Sequence, residues 1–141
     1  MMRFLFATLI VSVMAVPVSA AETYVCVGEQ STGFKRNGSA WERAGFHANE
    51  KFVISQGETQ KDYVVKQTGS DKIVHSCTRN ALTMPDGKSF LWPDMICGGL
   101  AYNFAFNFET LRFQQFYGIG YIAGDVSSDT PYIMIGKCTK L

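Results

Sequence analysis

Along most of this chain polar and apolar residues alternate with a period of two, the mark of strands with one face buried. Residues 23–27 place Tyr24 and Cys26 on one face and Val25 and Val27 on the other. Runs at Lys51–Gln56, Asp62–Gln67 and 72–78 carry β-branched Val53, Ile54, Val64, Val65, Ile73 and Val74, which suit a pleated surface. Gly57 and Thr68-Gly69-Ser70 separate these runs. Asn37-Gly38, between Phe34-Lys35-Arg36 and Ser39-Ala40-Trp41, predicts a tight type I′ hairpin. Pro85-Asp86-Gly87 predicts a second turn, leading into Phe90-Leu91-Trp92, which Pro93 is expected to end.

The stretch 95–124 holds only two charged residues, Glu109 and Arg112. Phe104, Phe106 and Phe108 face one way and Asn103, Ala105, Asn107 and Glu109 the other, with a reversal expected at Glu109-Thr110. Tyr117, Ile119 and Tyr121 extend the alternation opposite Gly118 and Gly120, predicting a bent strand. Residues 124–131 read as a polar loop and 132–138 as a closing strand. A 3.6-residue period is missing throughout, and 41–51 holds at most one helical turn. About nine or ten short strands with regular turn signals predict an all-β fold, a small antiparallel β-barrel or sandwich of meander type with little or no helix. Closure is the attractive form, because it removes hazardous aromatic edges.

The first twenty residues follow a different logic. One cation, Arg3, precedes an apolar run from Phe4 to Val16; Pro17 breaks it before Val18-Ser19-Ala20. This is the pattern of a secretory signal peptide, with cleavage expected between Ala20 and Ala21. The run is shorter than the roughly 20 residues of a spanning helix, and no cysteine follows the cut to carry a lipid. The expected organisation is therefore a leader at 1–20 and a single β domain at 21–141, periplasmic or secreted and not membrane-spanning when mature. An outer-membrane barrel fits less well, because most runs fall short of the roughly 9–11 residues a spanning strand needs.

Charge then excludes one class of partner. The chain carries 13 Lys+Arg against 12 Asp+Glu, and loss of Arg3 with the leader balances them. Nucleic-acid binding needs a concentrated basic surface, and none is expected here. Four cysteines, Cys26, Cys77, Cys97 and Cys138, remain after cleavage. An even number in an exported chain favours disulfides. Of the three possible pairings, Cys77–Cys97 would staple the limbs around Pro85-Asp86-Gly87, and Cys26–Cys138 would tie the first strand to the last. Neither a CxxC motif nor a second metal-ligand pattern is present, so no metal and no cofactor is expected.

Catalytic signals are sparse. His75 lies in His75-Ser76-Cys77, but neighbouring strand side chains point to opposite faces, so His75 and Ser76 diverge. His47 reads as a loop histidine. No GxSxG, HExxH or phosphate-cradling motif occurs. Asp94 and Glu109 are the carboxylates a hydrolase would use; their simpler roles are a turn cap after Pro93 and a hairpin tip. Lys35, Arg36 and Arg43, with Phe34 and Trp41 nearby, form a basic and aromatic hairpin that would suit an anionic glycan or nucleic acid, diluted by Glu29 and Glu42. The strongest feature is the aromatic limb. Phe104, Phe106, Phe108, Tyr117 and Tyr121, with Trp92, are the candidate ligand-binding residues, set against the plainer role of filling a core.

Tyr24-Val25-Cys26, Ser31-Thr32-Gly33-Phe34, Leu111-Arg112-Phe113-Gln114 and Ile135-Gly136-Lys137-Cys138 together resemble small exported proteobacterial proteins of unknown function. That resemblance implies export and transfers no site. In size and export the chain is also similar to periplasmic lysozyme-inhibitor barrels, whose inhibitory motif is not matched; the analogy concerns fold alone. The expected function is a non-catalytic periplasmic binding module for a small apolar ligand or an envelope protein. An envelope-polymer hydrolase using carboxylates and a structural envelope factor are the alternatives.

Overall fold

Among the described residues, period-two alternation becomes nine antiparallel strands joined mostly by short turns. They are β1 (Thr23–Asn37), β2 (Ala40–Phe46), β3 (Lys51–Gln56), β4 (Asp62–Gln67), β5 (Ile73–Thr83), β6 (Ser89–Gly98), β7 (Tyr102–Asn107), β8 (Arg112–Tyr117) and β9 (Tyr132–Lys140), with one helical turn, α1 (Ile119–Ile122). The computed structural model describes residues 21–99, 101–122, 124 and 130–141. The predicted leader and part of the predicted 124–131 loop lie outside them. The sheet runs β2-β1-β3-β4-β5-β6-β7-β8-β9, and β1 also pairs with β9. The result is a closed antiparallel barrel of eight strands with β2 as an extra strand.

Strand β1 makes this arrangement possible. It is far longer than the 23–27 run expected from sequence, because its second half, mostly polar apart from Phe34, leaves the core and pairs with β2 and β9. Residues 23–27 pair with β3, 31–37 pair with β2, and β9 follows the opposite edge from Tyr24 to Gly33. A register shift between Gly28 and Gln30 marks the handover from one neighbour to the other, as a bulge that redirects the strand. At Gly28 a Cβ would lie 2.6 Å from Met134 Sδ, so the bend passes close to the core.

Each barrel strand sends at least two residues inward, for example Tyr24 and Cys26, Phe52 and Ile54, Met95 and Cys97, and Phe104 and Phe106. Phe104 and Phe113 stack with centroids 5.2 Å apart, and Phe52 meets both edge-on at 5.5 and 5.7 Å. The disulfides Cys26–Cys138 and Cys77–Cys97 lie in this interior. Cys26 and Cys138 face each other directly across β1 and β9, so the first bridge closes the barrel covalently.

Three local expectations are corrected. Asn37 pairs with Ala40, so the hairpin's central residues are Gly38 and Ser39. Of the two only Gly38 has positive φ, 59°, the habit of a type II′ turn with glycine first. Pro93 does not end its strand. The β5–β6 register shifts between Arg79 and Ala81, and in that irregularity a proline removes no ladder bond. Its carbonyl accepts from Phe108 N at 2.8 Å, and Asp94 continues the strand instead of capping a turn. The alternation from Tyr117 to Tyr121 also fails. Gly118 N donates to Ala101 O at 2.6 Å, and the chain leaves the sheet there to form α1. The Glu109-Thr110 reversal is present, held by Asn107 Oδ1, which accepts from both backbone N–H groups at 3.0 and 2.7 Å.

Candidate binding surfaces

Aromatic side chains occupy the barrel axis, which determines where a ligand could sit. Phe104 and Phe106 are 0% and 1% exposed. Phe108 sits half-buried against Phe106, Tyr24 and Tyr63, with the Arg79 guanidinium 4.1 Å above its ring. Tyr117 lies between Tyr102 and Tyr132, with centroids at 5.5 and 5.9 Å. These four residues fill the interior and its ends. Tyr121 and Trp92 are on the outside. Tyr121 meets Trp41 at 5.5 Å, whereas Trp92 projects from the β6 irregularity and shares no ring contact with the other five among the described residues.

The two barrel ends differ chemically. At one, the Glu22 carboxylate accepts from Tyr24 and Tyr63 hydroxyls at 3.0 and 3.2 Å and from Lys140 Nζ. The Lys140 contact and the two hydroxyls hold its pKa below the usual carboxylate value against the opposing effect of burial. Burial, with Glu22 alongside, raises both tyrosines to about 12. At the other end His75 packs 4.6 Å from Tyr102, and Gln115 Nε2 donates to Tyr102 Oη at 2.9 Å. Burial lowers the His75 pKa and raises that of Glu50.

Acid should therefore destabilise the barrel in two stages, through His75 and then Glu22, while Glu50, whose pKa burial raises, takes up its proton more readily when folded and offsets part of the loss. Unfolding exposes His75 to protons that the folded state resists, so stability starts to fall below its unfolded value near 6.5. Glu22 adds its loss as pH falls from the unfolded value near 4.5 through the lower folded one. Urea titrations across pH 3–7 are expected to show both stages, with His75→Phe flattening the first and Glu22→Gln the second.

Outside the barrel two apolar concavities stand out. One, of about 540 Å³, lies on the β6–β9 wall, where Ile96, Ala105 and Ile135 are rimmed by Asp94, Arg112 and Lys137. Here Asp94 Oδ1 accepts from Asn107 Nδ2, and Lys137 pairs with Glu29 at 3.1 Å. The other, of about 440 Å³, is lined by Phe34, Trp41, Phe116, Tyr121, Ile122 and Pro131. It exists because β1 and β2 overshoot the barrel and α1 turns back toward them. Phe34, Tyr121 and Ile122 are 52%, 63% and 72% exposed, an unusual concentration of apolar surface.

Sequence reasoning named Phe34 and Trp41 with the basic hairpin and Phe116 and Tyr121 with the aromatic limb, but it did not bring the two groups together, and it gave Ile122 and Pro131 no part in a site. The residues weighed for catalysis remain apart. Ser76 faces solvent while His75 is buried, Cys77 is bridged, and His47 and Glu109 are exposed. Comparison with protein-family models, curated proteins and solved structures finds no match for this chain.

Proposed function

We propose that this protein is an exported, non-catalytic binding module that holds an envelope protein through the groove between the β1–β2 hairpin and α1. The observation carrying this reading is the division of aromatic residues between inside and outside. Phe52, Phe104, Phe106 and Phe113 fill the barrel, leaving an internal apolar ligand without room. Phe34, Trp41, Tyr121 and Ile122 instead spread over an open groove. Aromatic anchors around a concave patch are the usual energetic centre of a protein interface. Two disulfides are compatible with an oxidising compartment, which supports the export reading. The carboxylates of the hydrolase alternative offer no comparable arrangement: Asp94 is bonded to Asn107 on the outer wall, and Glu109 is on an exposed turn.

A photo-crosslinking amino acid at Tyr121, introduced in the producing cell, is expected to capture a protein adduct of one defined mass. The same group at Trp92 should not, and Phe34→Asp should reduce the yield about tenfold or more, the cost of removing one aromatic anchor. Equal adducts at both positions, or a yield indifferent to Phe34→Asp, would overturn the reading.

A further inference from the structure

Past the barrel rim the β5–β6 hairpin stands alone. Strand β4 follows β5 only as far as Thr78, and β7 meets β6 only from Asp94 onward. Among the described residues, 80–92 therefore pair only with one another, through Ala81 and Leu91, Leu82 and Phe90, and Thr83 and Ser89. A two-stranded hairpin is marginal in water unless one of its faces is covered. This one carries only two charged residues, Asp86 and Lys88, and they pair with each other at the turn at 3.2 Å.

Its two faces differ. On one, Leu91 lines the recess at the Glu22 end of the barrel, together with Tyr63, Arg79 and Lys140. On the same face the Thr83 and Ser89 hydroxyls bond to each other at 2.7 Å. Alternation puts Leu82, Phe90 and Trp92 on the opposite face, with Met84 at the turn. These four are each 40–48% exposed, a bare apolar area on the order of 300–400 Å². Between the Asp86–Lys88 pair at the tip and Asp94 at the rim, that face has no charged residue.

Building on the export reading above, we infer that this face rests on the lipid–water boundary of a bilayer, with the hairpin lying flat. Tip-first entry would carry Asp86 and Lys88 into hydrocarbon, where charge is costly. Lying flat keeps that pair among the headgroups and lowers Leu82, Phe90 and Trp92 into the boundary, a level that suits Trp. A second copy is a poorer occupant, because two such faces together bury less than the roughly 1,200 Å² of a standard interface. A lipid surface sets no such requirement. Chain layout points the same way: Ala21, the residue after the expected cleavage site, lines the recess beside Leu91. The hairpin thus stands where the domain joins its expected leader, the end held nearest the membrane during export. The groove proposed above lies toward the opposite end, where Gly118 bonds to Ala101, so a protein partner and a membrane need not compete.

The test mixes the oxidised protein with vesicles of phosphatidylcholine, and with vesicles in which a quarter of it is replaced by phosphatidylglycerol. Both should bind alike and reversibly, with about the strength of a single acyl chain. The chain has two tryptophans, so each can be read by itself. In Trp41→Phe the emission of Trp92 should shift to the blue and be quenched by brominated acyl chains; in Trp92→Phe the emission of Trp41 should not change. Phe90→Asp should lower co-sedimentation about tenfold or more, and Trp92 emission decides the matter even if that variant does not fold. An unshifted Trp92, binding to the anionic vesicles alone, or full binding by Phe90→Asp would overturn the inference. Binding by every variant with Trp92 unshifted would assign it to an attached leader, and a dimer that Phe90→Asp dissolves would put a second copy on this face; either outcome also overturns it. If lipid binding fails while the Tyr121 adduct forms, the envelope-protein reading stands and only the membrane contact is lost.

Discussion

Replacing Cys26 and Cys138 together by alanine is expected to lower the unfolding free energy by about 4.8 kcal/mol, against about 3.3 for Cys77 and Cys97. The difference comes from the chain enclosed by each bridge. Cys26 and Cys138 are 112 residues apart and Cys77 and Cys97 only 20, and in the chain-entropy model the longer loop loses more freedom when closed. The first bridge also joins β1 to β9, the contact that converts a meander into a barrel. Urea denaturation of the two double variants, followed by far-ultraviolet circular dichroism, measures both losses. Equal losses, or a larger one for Cys77 and Cys97, would mean that strain or residual unfolded structure outweighs loop entropy here.

Phe104→Ala is the second large effect, with an expected cost of about 3–5 kcal/mol. Phe104 is fully buried and touches Phe52, Phe113 and His75, so its removal leaves a void the surrounding rings fill only in part. For a domain of ordinary stability, about 5–15 kcal/mol, that is a large share. Ile96→Ala, at a position 65% exposed, is expected to stay within about 0.5 kcal/mol. The pair of measurements also bears on function. An aromatic face that lined a ligand cavity would tolerate the truncation far better than one packed solid.

The barrel was legible because its signals are local. Phe104, Phe106 and Phe108 alternate within a few residues, and the cysteines sit on runs whose pairing follows from strand order. What stayed hidden depended on neighbours distant in sequence. Pro93 reads as a stop until the β5 irregularity is seen to leave its missing N–H without consequence. Tyr117, Ile119 and Tyr121 read as one strand because nothing nearby reveals that Gly118 bonds to Ala101 and lifts the chain off the sheet. The length of β1 was invisible for a related reason: its second half is mostly polar apart from Phe34, and a free hairpin carries no burial pattern. The groove combines both problems. Phe34 and Trp41 meet Tyr121 only because β1 overshoots the barrel and α1 turns back, and neither event leaves a mark in the alternation.

The nested order of the bridges has a consequence for how the protein is made. A chain threaded from its N-terminal end presents Cys26 first and Cys77 next, long before Cys138 emerges. An oxidase joining thiols in order of arrival would form Cys26–Cys77, a bond the finished barrel does not contain. Native pairing requires that β1 wait unpaired on one side until β9 arrives, or that an isomerase reshuffle an early error. For a chain exported in this way, biogenesis would depend on the timing of oxidation relative to strand closure as well as on the residues that fill the core.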